Sequence, residues 1–213
     1  MQIDKDKDYI QDFVKLSESI VILCADKGND TVAAGIALLS YIKETAGKEA
    51  VLIYAGDIGK ISSSLMSLYD VQTEFEPKIL KVTINHKDTT IKTVNYYKES
   101  DSRLVLEMSP VERNFDLGKI KYDFSGIDYD LIITVGASKL EDIGALYQNN
   151  KGDFDKSTVV NIDNSSNNEN YGKLNIVDSE EDTISSMLFK KFSEWGYVPD
   201  KTASKALLAG MSE

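Results

Sequence analysis

The stretch Ser19–Tyr54 decides the fold, because it places a helix between two apolar strands. It reads SIVILCA (19–25), DKGND (26–30), TVAAGIALLSYIKETA (31–46) and, after a short turn, AVLIY (50–54). An unbroken apolar, β-branched run is typical of a strand that is buried on both faces. Gly47 follows the helix at the position where glycine commonly ends one. This strand–helix–strand order predicts a parallel sheet.

The same order returns in the second half of the chain. We predict strands at 130–135, 157–162 and 174–177, and helices at 139–149, 181–195 and 202–211. Two further helices are predicted at 8–17 and 62–69 from their apolar spacing. Together these elements predict an α/β fold, an open, mainly parallel, doubly wound sheet with helices on both faces.

The middle of the chain has a different pattern. The segments KILKVTIN (78–85), IKTVNYY (91–97) and RLVLEM (103–108) alternate apolar and polar residues, which is typical of antiparallel strands with one wet face. We therefore predict an antiparallel β-meander at about 78–124, inserted into a single domain that spans 1–213. Its apolar face could pack on the edge of the main sheet. A homodimer with an aromatic contact patch at Tyr96, Tyr97 and Phe115 is the alternative.

Composition excludes several classes of function. The chain has 213 residues, with 24 Lys and Arg against 35 Asp and Glu, a net charge of −11. One Cys and one His provide neither an internal disulfide nor a four-ligand zinc site. Strong acidity argues against binding of long nucleic acids. Without an apolar run of membrane length or a signal-like apolar segment, we expect a cytoplasmic protein with no membrane partner.

Three loops follow predicted strands, and the carboxyl ends of parallel strands are where α/β proteins bind ligands. These loops lie at 24–30, 136–138 and 163–168. The turn at 26–30 opens a helix and could receive an anion on backbone N–H groups. Asp26, Asp30 and Asp163 could instead converge on a hard cation.

Structural roles are the alternatives for the same residues. Asp30 or Asn29 is expected to cap the helix that follows, since both residue types favour that position. Cys24 lies within an apolar strand and is expected to be an inert core thiol rather than a metal ligand. Asp163 suits a turn after a strand, and His86 is expected to be a solvated turn residue.

These loops resemble the DHH-type phosphoesterases, within them the oligoribonuclease and exopolyphosphatase-related group, from about residue 8 to the end. Four stretches of this chain correspond to family motifs. They are CADKGNDT (24–31) for H-x-N-P-D-G-D-A, GASKLEDIG (136–144) for D-T-S-D-x-x-x-L-G, NIDNSSNN (161–168) for x-I-D-H-H-x-S-N, and VDSEEDTISS (177–186) for V-D-P-x-A-S-S-T-x-E. The resemblance implies the N-terminal family domain only. The family's smaller C-terminal substrate-binding domain has no counterpart in these residues.

The resemblance also implies a degenerate site. Family members hold two Mn²⁺-like ions with His and Asp side chains from these loops. At the matching positions Cys24 replaces His, Gly28 replaces Asp and Gly136 replaces the bridging Asp, while Asn164 and Ser165 replace both histidines. Asp30 and Asp163 remain. The vestigial cleft therefore comprises Asp30, Asp163, Asn164 and Ser165.

From these replacements we expect an inactive pseudoenzyme that acts as a binding or assembly module. One alternative is a metal-dependent hydrolase of small oligonucleotides or related phosphate esters with an altered site. Another is a metal-free protein that binds a nucleotide or small anion. The candidate ligand-binding residues are Asp26, Gly28, Asn29, Asp30, Gly136, Ala137, Ser138, Asp163, Asn164 and Ser165. No cofactor is expected, and Mn²⁺ or Mg²⁺ would bind only at an altered site through Asp30 and Asp163. The expected macromolecular partner is a second copy of the chain or another protein.

Overall fold

The computed structural model of the chain describes residues 5–76, 79–87, 90–112, 115–125 and 128–212. It divides into two compact units, one formed by Met1–Phe75 with Asp128–Glu213 and the other by Glu76–Ile127. The strands are β1 (Ile20–Cys24), β2 (Val51–Tyr54), β3 (Ile79–Ile84), β4 (Thr93–Ser100), β5 (Arg103–Ser109), β6 (Ile120–Ser125), β7 (Leu131–Val135), β8 (Thr158–Asp163) and β9 (Leu174–Val177). The α-helices are α1 (Lys5–Leu16), α2 (Asn29–Ala46), α3 (Ser63–Met66), α4 (Ala145–Gln148), α5 (Lys151–Phe154), α6 (Ile184–Glu194) and α7 (Lys201–Gly210).

The first unit contains a parallel sheet of five strands in the order β2-β1-β7-β8-β9. This order runs outward in both directions from the β1–β7 pair, as in doubly wound folds. The predicted α/β fold class is confirmed. The boundary between β1 and β7 is the topological switch point, and the loops that leave the two strands diverge there.

Helices cover both faces of this sheet. Along β1, Ile20, Ile22 and Cys24 belong to one core, which also contains buried residues of α1, α2, α6 and α7. Val21 and Leu23 belong to a second core with residues of α5 and of the segment before α4. Successive side chains of a strand point to opposite faces, so an unbroken apolar strand supplies both cores at once.

Two predicted helices are shorter in the structure. The segment predicted at 139–149 is a 3₁₀ turn at Leu140–Ile143 followed by α4, and the two are separated by Gly144 at φ +64°. The segment predicted at 62–69 is helical only at Ser63–Met66. No helix among the described residues is long and apolar enough to cross a membrane.

The second unit holds the predicted antiparallel strands, but as two separate pairs. β4 and β5 form a hairpin, whereas β3 pairs with the distant β6. The predicted meander, in which each strand would pair with the next, is therefore wrong for the described residues, because β3 pairs with β6. The alternating pattern fixes which face of each strand is apolar, but it carries no information about the choice of neighbour.

Candidate functional site

The candidate site lies at the carboxyl ends of β1, β7 and β8. Backbone hydrogen bonds hold these ends together, from Ala25 N to Val135 O at 2.9 Å and from Gly136 N to Ile162 O at 2.8 Å. The three loops that the sequence singles out therefore leave the sheet side by side at the switch point.

Asp163, the last residue of β8, is the centre of this cluster. Its side chain is fully buried. The Lys27 ammonium lies 3.3 Å from one carboxylate oxygen. Ser138 Oγ (3.0 Å) and Asn168 Nδ2 (2.8 Å) donate to the other. The structure thus brings Ser138 and Asp163 together, and it supplies the buried carboxylate with a cation from the chain itself.

Lys27 and Asn168 were not among the sequence candidates. A lysine in a polar turn is ordinarily solvated, and Lys27 still exposes 42% of its side chain. The signal that could have identified it is its position, because it stands where the loop of the resembling family has proline. Asn168 lies in a tract of Asn and Ser whose members have the same chemistry but very different surroundings.

Asn168 also anchors the loop after β8. Its amide nitrogen donates to Ala137 O at 3.2 Å, and its amide oxygen accepts from Asn161 Nδ2 at 2.7 Å. Tyr171 donates to the same Ala137 carbonyl at 3.1 Å, and burial raises the pKa of Tyr171. The candidate Ala137 thus acts through its backbone, as an acceptor that fixes this loop.

Asp30 binds a helix other than its own. Its two carboxylate oxygens accept from the backbone N–H groups of Ile184 (2.8 Å) and Ser185 (2.9 Å) at the start of α6. The predicted capping of α2 by Asp30 or Asn29 is wrong, because Gly28 is the N-cap of α2 at φ +75°. Asn29 instead accepts from Ser62 N at 2.8 Å.

The other candidate aspartate, Asp26, is also engaged. Tyr54 donates its hydroxyl to Asp26 Oδ1 at 2.6 Å. Burial, together with this hydrogen bond to a carboxylate, raises the pKa of Tyr54 to about 12. Asp26, Asp30 and Asp163 therefore have three different sets of partners. The part of the chain that the structure describes contains no group of three or more His, Cys, Asp or Glu side chains that could hold a metal ion.

Cys24 is a buried core thiol. It donates to Thr31 O at 3.0 Å. Burial, reinforced by the charge of Asp30, raises the pKa of this thiol far above its ordinary value. A metal ligand must be the thiolate, so this environment disfavours ligation.

Gly136 has no room for a side chain. Its φ is +77°, a conformation that favours glycine, and a Cβ there would overlap Thr31 Cγ2 and lie 3.2 Å from Ile184 Cδ1. The bridging Asp of the resembling family cannot be accommodated here without displacing the side chain of Thr31 or Ile184.

Asn164 and Ser165 have structural contacts. Asn164 Nδ2 donates to the backbone oxygens of Glu181 (3.0 Å) and Asp182 (3.2 Å), which precede α6. Ser165 Oγ accepts from Asn167 N at 3.2 Å within the loop. These contacts connect the loop after β8 to the start of α6.

The sequence matches no protein-family model and no curated protein. Among solved structures it is similar to an exopolyphosphatase-related protein from Bacteroides fragilis, with a TM-score of 0.59 and 13% identity. The likeness covers 97% of this chain and 48% of that chain, so this chain spans about half the length of its structural neighbour. At this identity the likeness shows the fold alone. The chain therefore has the fold of an exopolyphosphatase-related protein. Its candidate site contains an ion pair between Lys27 and Asp163.

Proposed function

We propose that this chain is a phosphoesterase-like domain that binds a small phosphate-bearing ligand without metal and without hydrolysing it. The Lys27–Asp163 pair carries the proposal. In two-metal hydrolases, divalent ions supply the positive charge that holds the phosphate and activates water. Here an ammonium occupies one side of the buried carboxylate, so an approaching divalent ion would meet a like charge.

The surroundings of the other candidate ligands support loss of the metal centre. Asp30 uses both oxygens to accept from the first two N–H groups of α6, and burial favours the protonated thiol of Cys24. Gly136 can receive no carboxylate without displacement of its neighbours. A hydrolase with an altered site would need to release at least one of these contacts before it could ligate metal.

The same cluster supports metal-free binding of an anion. The side chain of Lys27 is partly exposed, and its ammonium could contact a ligand phosphate while it remains close to Asp163. The Ser138 hydroxyl lies 3.0 Å from the other oxygen of the same carboxylate. Lysine is a donor that phosphate groups use commonly, whereas the single O–H of Ser138 donates to Asp163 and would have to leave it to reach a ligand. A small ligand is favoured over a long polyanion by the net charge of −11.

Calorimetric titration with Mn²⁺ tests the metal part of the proposal. We expect no heat of binding, and no turnover of a linear dinucleotide in the presence of Mn²⁺. Binding of two ions at micromolar strength that is lost in the Asp30→Ala, Asp163→Ala double variant would establish the altered-site hydrolase instead.

Thermal unfolding in EDTA tests the ligand part. We expect pyrophosphate or a linear dinucleotide to raise the melting temperature of the wild type. Lys27→Gln should abolish this rise. Lys139→Gln, the same change at an exposed position near the site, should leave it intact. A rise that both variants retain would place the ligand elsewhere, and no rise in the wild type would end the proposal.

A further inference from the structure

The β4–β5 hairpin has one strongly apolar face. In its antiparallel register, Val94 lies opposite Met108, Tyr96 opposite Leu106 and Lys98 opposite Leu104, and alternate residues of a strand share a face. The opposite face carries the pair Asn95–Glu107 and the Glu99–Arg103 ion pair at 2.9 Å, with Tyr97 opposite Val105.

The β3–β6 pair contributes a second apolar surface. Val82 lies opposite Tyr122 and Ile84 opposite Ile120 on the face that also bears Leu80. Side chains of both strand pairs line one groove of about 370 Å³: Val82 and Ile84 from the first pair, and Val94, Leu106 and Met108 from the second. The two apolar faces are therefore neighbours within this unit.

Much of this surface is open to solvent. Six large apolar side chains of the two faces are between 49% and 78% exposed: Leu80, Val94, Tyr96, Leu104, Leu106 and Tyr122. Two-stranded antiparallel pairs are marginally stable by themselves in water, and covering the apolar face stabilises them. We call these six residues the apolar surface of the second unit.

We propose that a second copy of this chain covers the apolar surface, so that the protein is a homodimer through its second unit. If each tyrosine has roughly 150–250 Å² of surface and each aliphatic side chain somewhat less, the exposed fractions of the six side chains amount to an area on the order of 600 Å². This area approaches the roughly 800 Å² per partner of a standard stable interface. It is also at the upper end of what monomers leave uncovered, about 300–600 Å².

Charge favours a second copy as the occupant. Residues 76–127 contain nine Lys and Arg and eight Asp and Glu, a net charge of +1, whereas the whole chain carries −11. The acidity therefore belongs to the first unit. A contact between two nearly neutral second units is opposed by less charge repulsion than a contact between two strongly acidic surfaces would be. A two-fold interface of this kind uses the same patch on both subunits.

Sedimentation velocity on the full chain, over a range of concentrations, tests the proposal. We expect a dimer in the wild type. Tyr96→Lys places a charge in the apolar surface and should raise the dimer dissociation constant at least about 30-fold, as loss of a central aromatic contact commonly does. Tyr97→Lys makes the same change one residue away, on the opposite face of the hairpin, and should leave the dimer intact.

Leu104→Lys provides a second variant in the apolar surface and should also dissociate the dimer. Circular dichroism and thermal unfolding should show that the variants retain the fold of the first unit. A wild type that stays monomeric up to about 100 μM overturns the proposal, since dimers of this kind form well below that concentration. Equal effects of Tyr96→Lys and Tyr97→Lys also overturn it. Neither result bears on ligand binding at Lys27.

Discussion

Lys27 Nζ lies 3.3 Å from Asp163 Oδ1, an ion pair between residues 136 positions apart in the sequence. It connects the loop after β1 to the end of β8 across the switch point of the sheet. A change in the charge of either residue should therefore also change the stability of the loops at the carboxyl ends of the strands.

Lys27→Met should lower the free energy of unfolding by about 1–2 kcal/mol. The variant leaves Asp163 buried without a cation, although Ser138 and Asn168 still donate to it. Fully buried pairs cost about 3–5 kcal/mol when one partner is lost, and the partly exposed lysine reduces that cost. Urea denaturation at pH 7 measures the change. Lys205→Met, at an exposed position of α7, is the control, and equal losses would show that the pair stabilises nothing.

Gly136→Ala should be much more destabilising than Gly144→Ala. Both glycines have positive φ, +77° and +64°, so both substitutions pay a conformational cost of about 1–2 kcal/mol. No atom lies within 4 Å of a Cβ at Gly144, whereas one at Gly136 meets Thr31 and Ile184. We expect a further loss of about 1–3 kcal/mol at Gly136 from overpacking.

The double variant Gly136→Ala, Thr31→Ser identifies the cause of that further loss. It removes the obstructing methyl group and keeps the hydroxyl that donates to Ala25 O and Gly28 O. We expect Gly136→Ala to cost less stability when it is made in the Thr31→Ser variant than when it is made in the wild type. Strict additivity of the two changes would contradict a steric origin.

Asn168→Asp should destabilise the protein by about 2–4 kcal/mol, because it replaces an amide that donates to Asp163 with a second carboxylate. Asn167→Asp adds the same charge one residue earlier, at an exposed position, and should change stability by less than about 0.5 kcal/mol. Guanidinium denaturation compares the two variants. Similar losses at both positions would mean that net charge, rather than the contact to Asp163, is responsible.

Asp130, which directly precedes β7 at the end of the strand opposite the candidate site, should make stability depend on pH. Its carboxylate accepts from Glu18 N and Ser19 N, and these hydrogen bonds lower its pKa from the ordinary 3.8. A depressed pKa in the folded state contributes stability above the unfolded pKa, and that stability is lost as pH falls through the folded value.

We therefore expect Asp130→Asn to cost up to about 1 kcal/mol at pH 7, a modest value because the group is exposed. The difference from wild type should shrink below pH 3.8, the unfolded value. Thermal unfolding between pH 7 and pH 3 measures it, with Asp155→Asn as an exposed control. A difference that does not change with pH would refute the assignment.

The apolar strands were predictable because burial on both faces leaves an unbroken pattern. β9 occupies the predicted residues 174–177, and the bounds of β1 and β7 each differ from the prediction by one residue at one or both ends. Pairing in the second unit was not predictable, because β3 could satisfy its apolar face beside β4 or beside β6. The choice depends on contacts between segments far apart in sequence.

The site was predictable in position but not in its contacts. Parallel strands bring their carboxyl ends together, so the sequence places Ser138 near Asp163. It gives no indication that Asp30 would bind α6, whose first residue lies 154 positions away. Nor does it show which of several asparagines would reach Asp163. Such contacts depend on loop conformation rather than on residue type.

Because α2 packs closely on β1, the rate at which Cys24 reacts with a thiol reagent should report local opening of the helix. A Cβ at Gly35 would lie 2.7 Å from Cys24 Sγ, so the helix lies directly over the one thiol of the chain. A thiol reagent can reach it only when the helix lifts from the strand, and the labelling rate then reports how often that occurs. A cysteine introduced on the surface would react long before Cys24, so a fluorophore or spin label can be attached without first removing the native thiol.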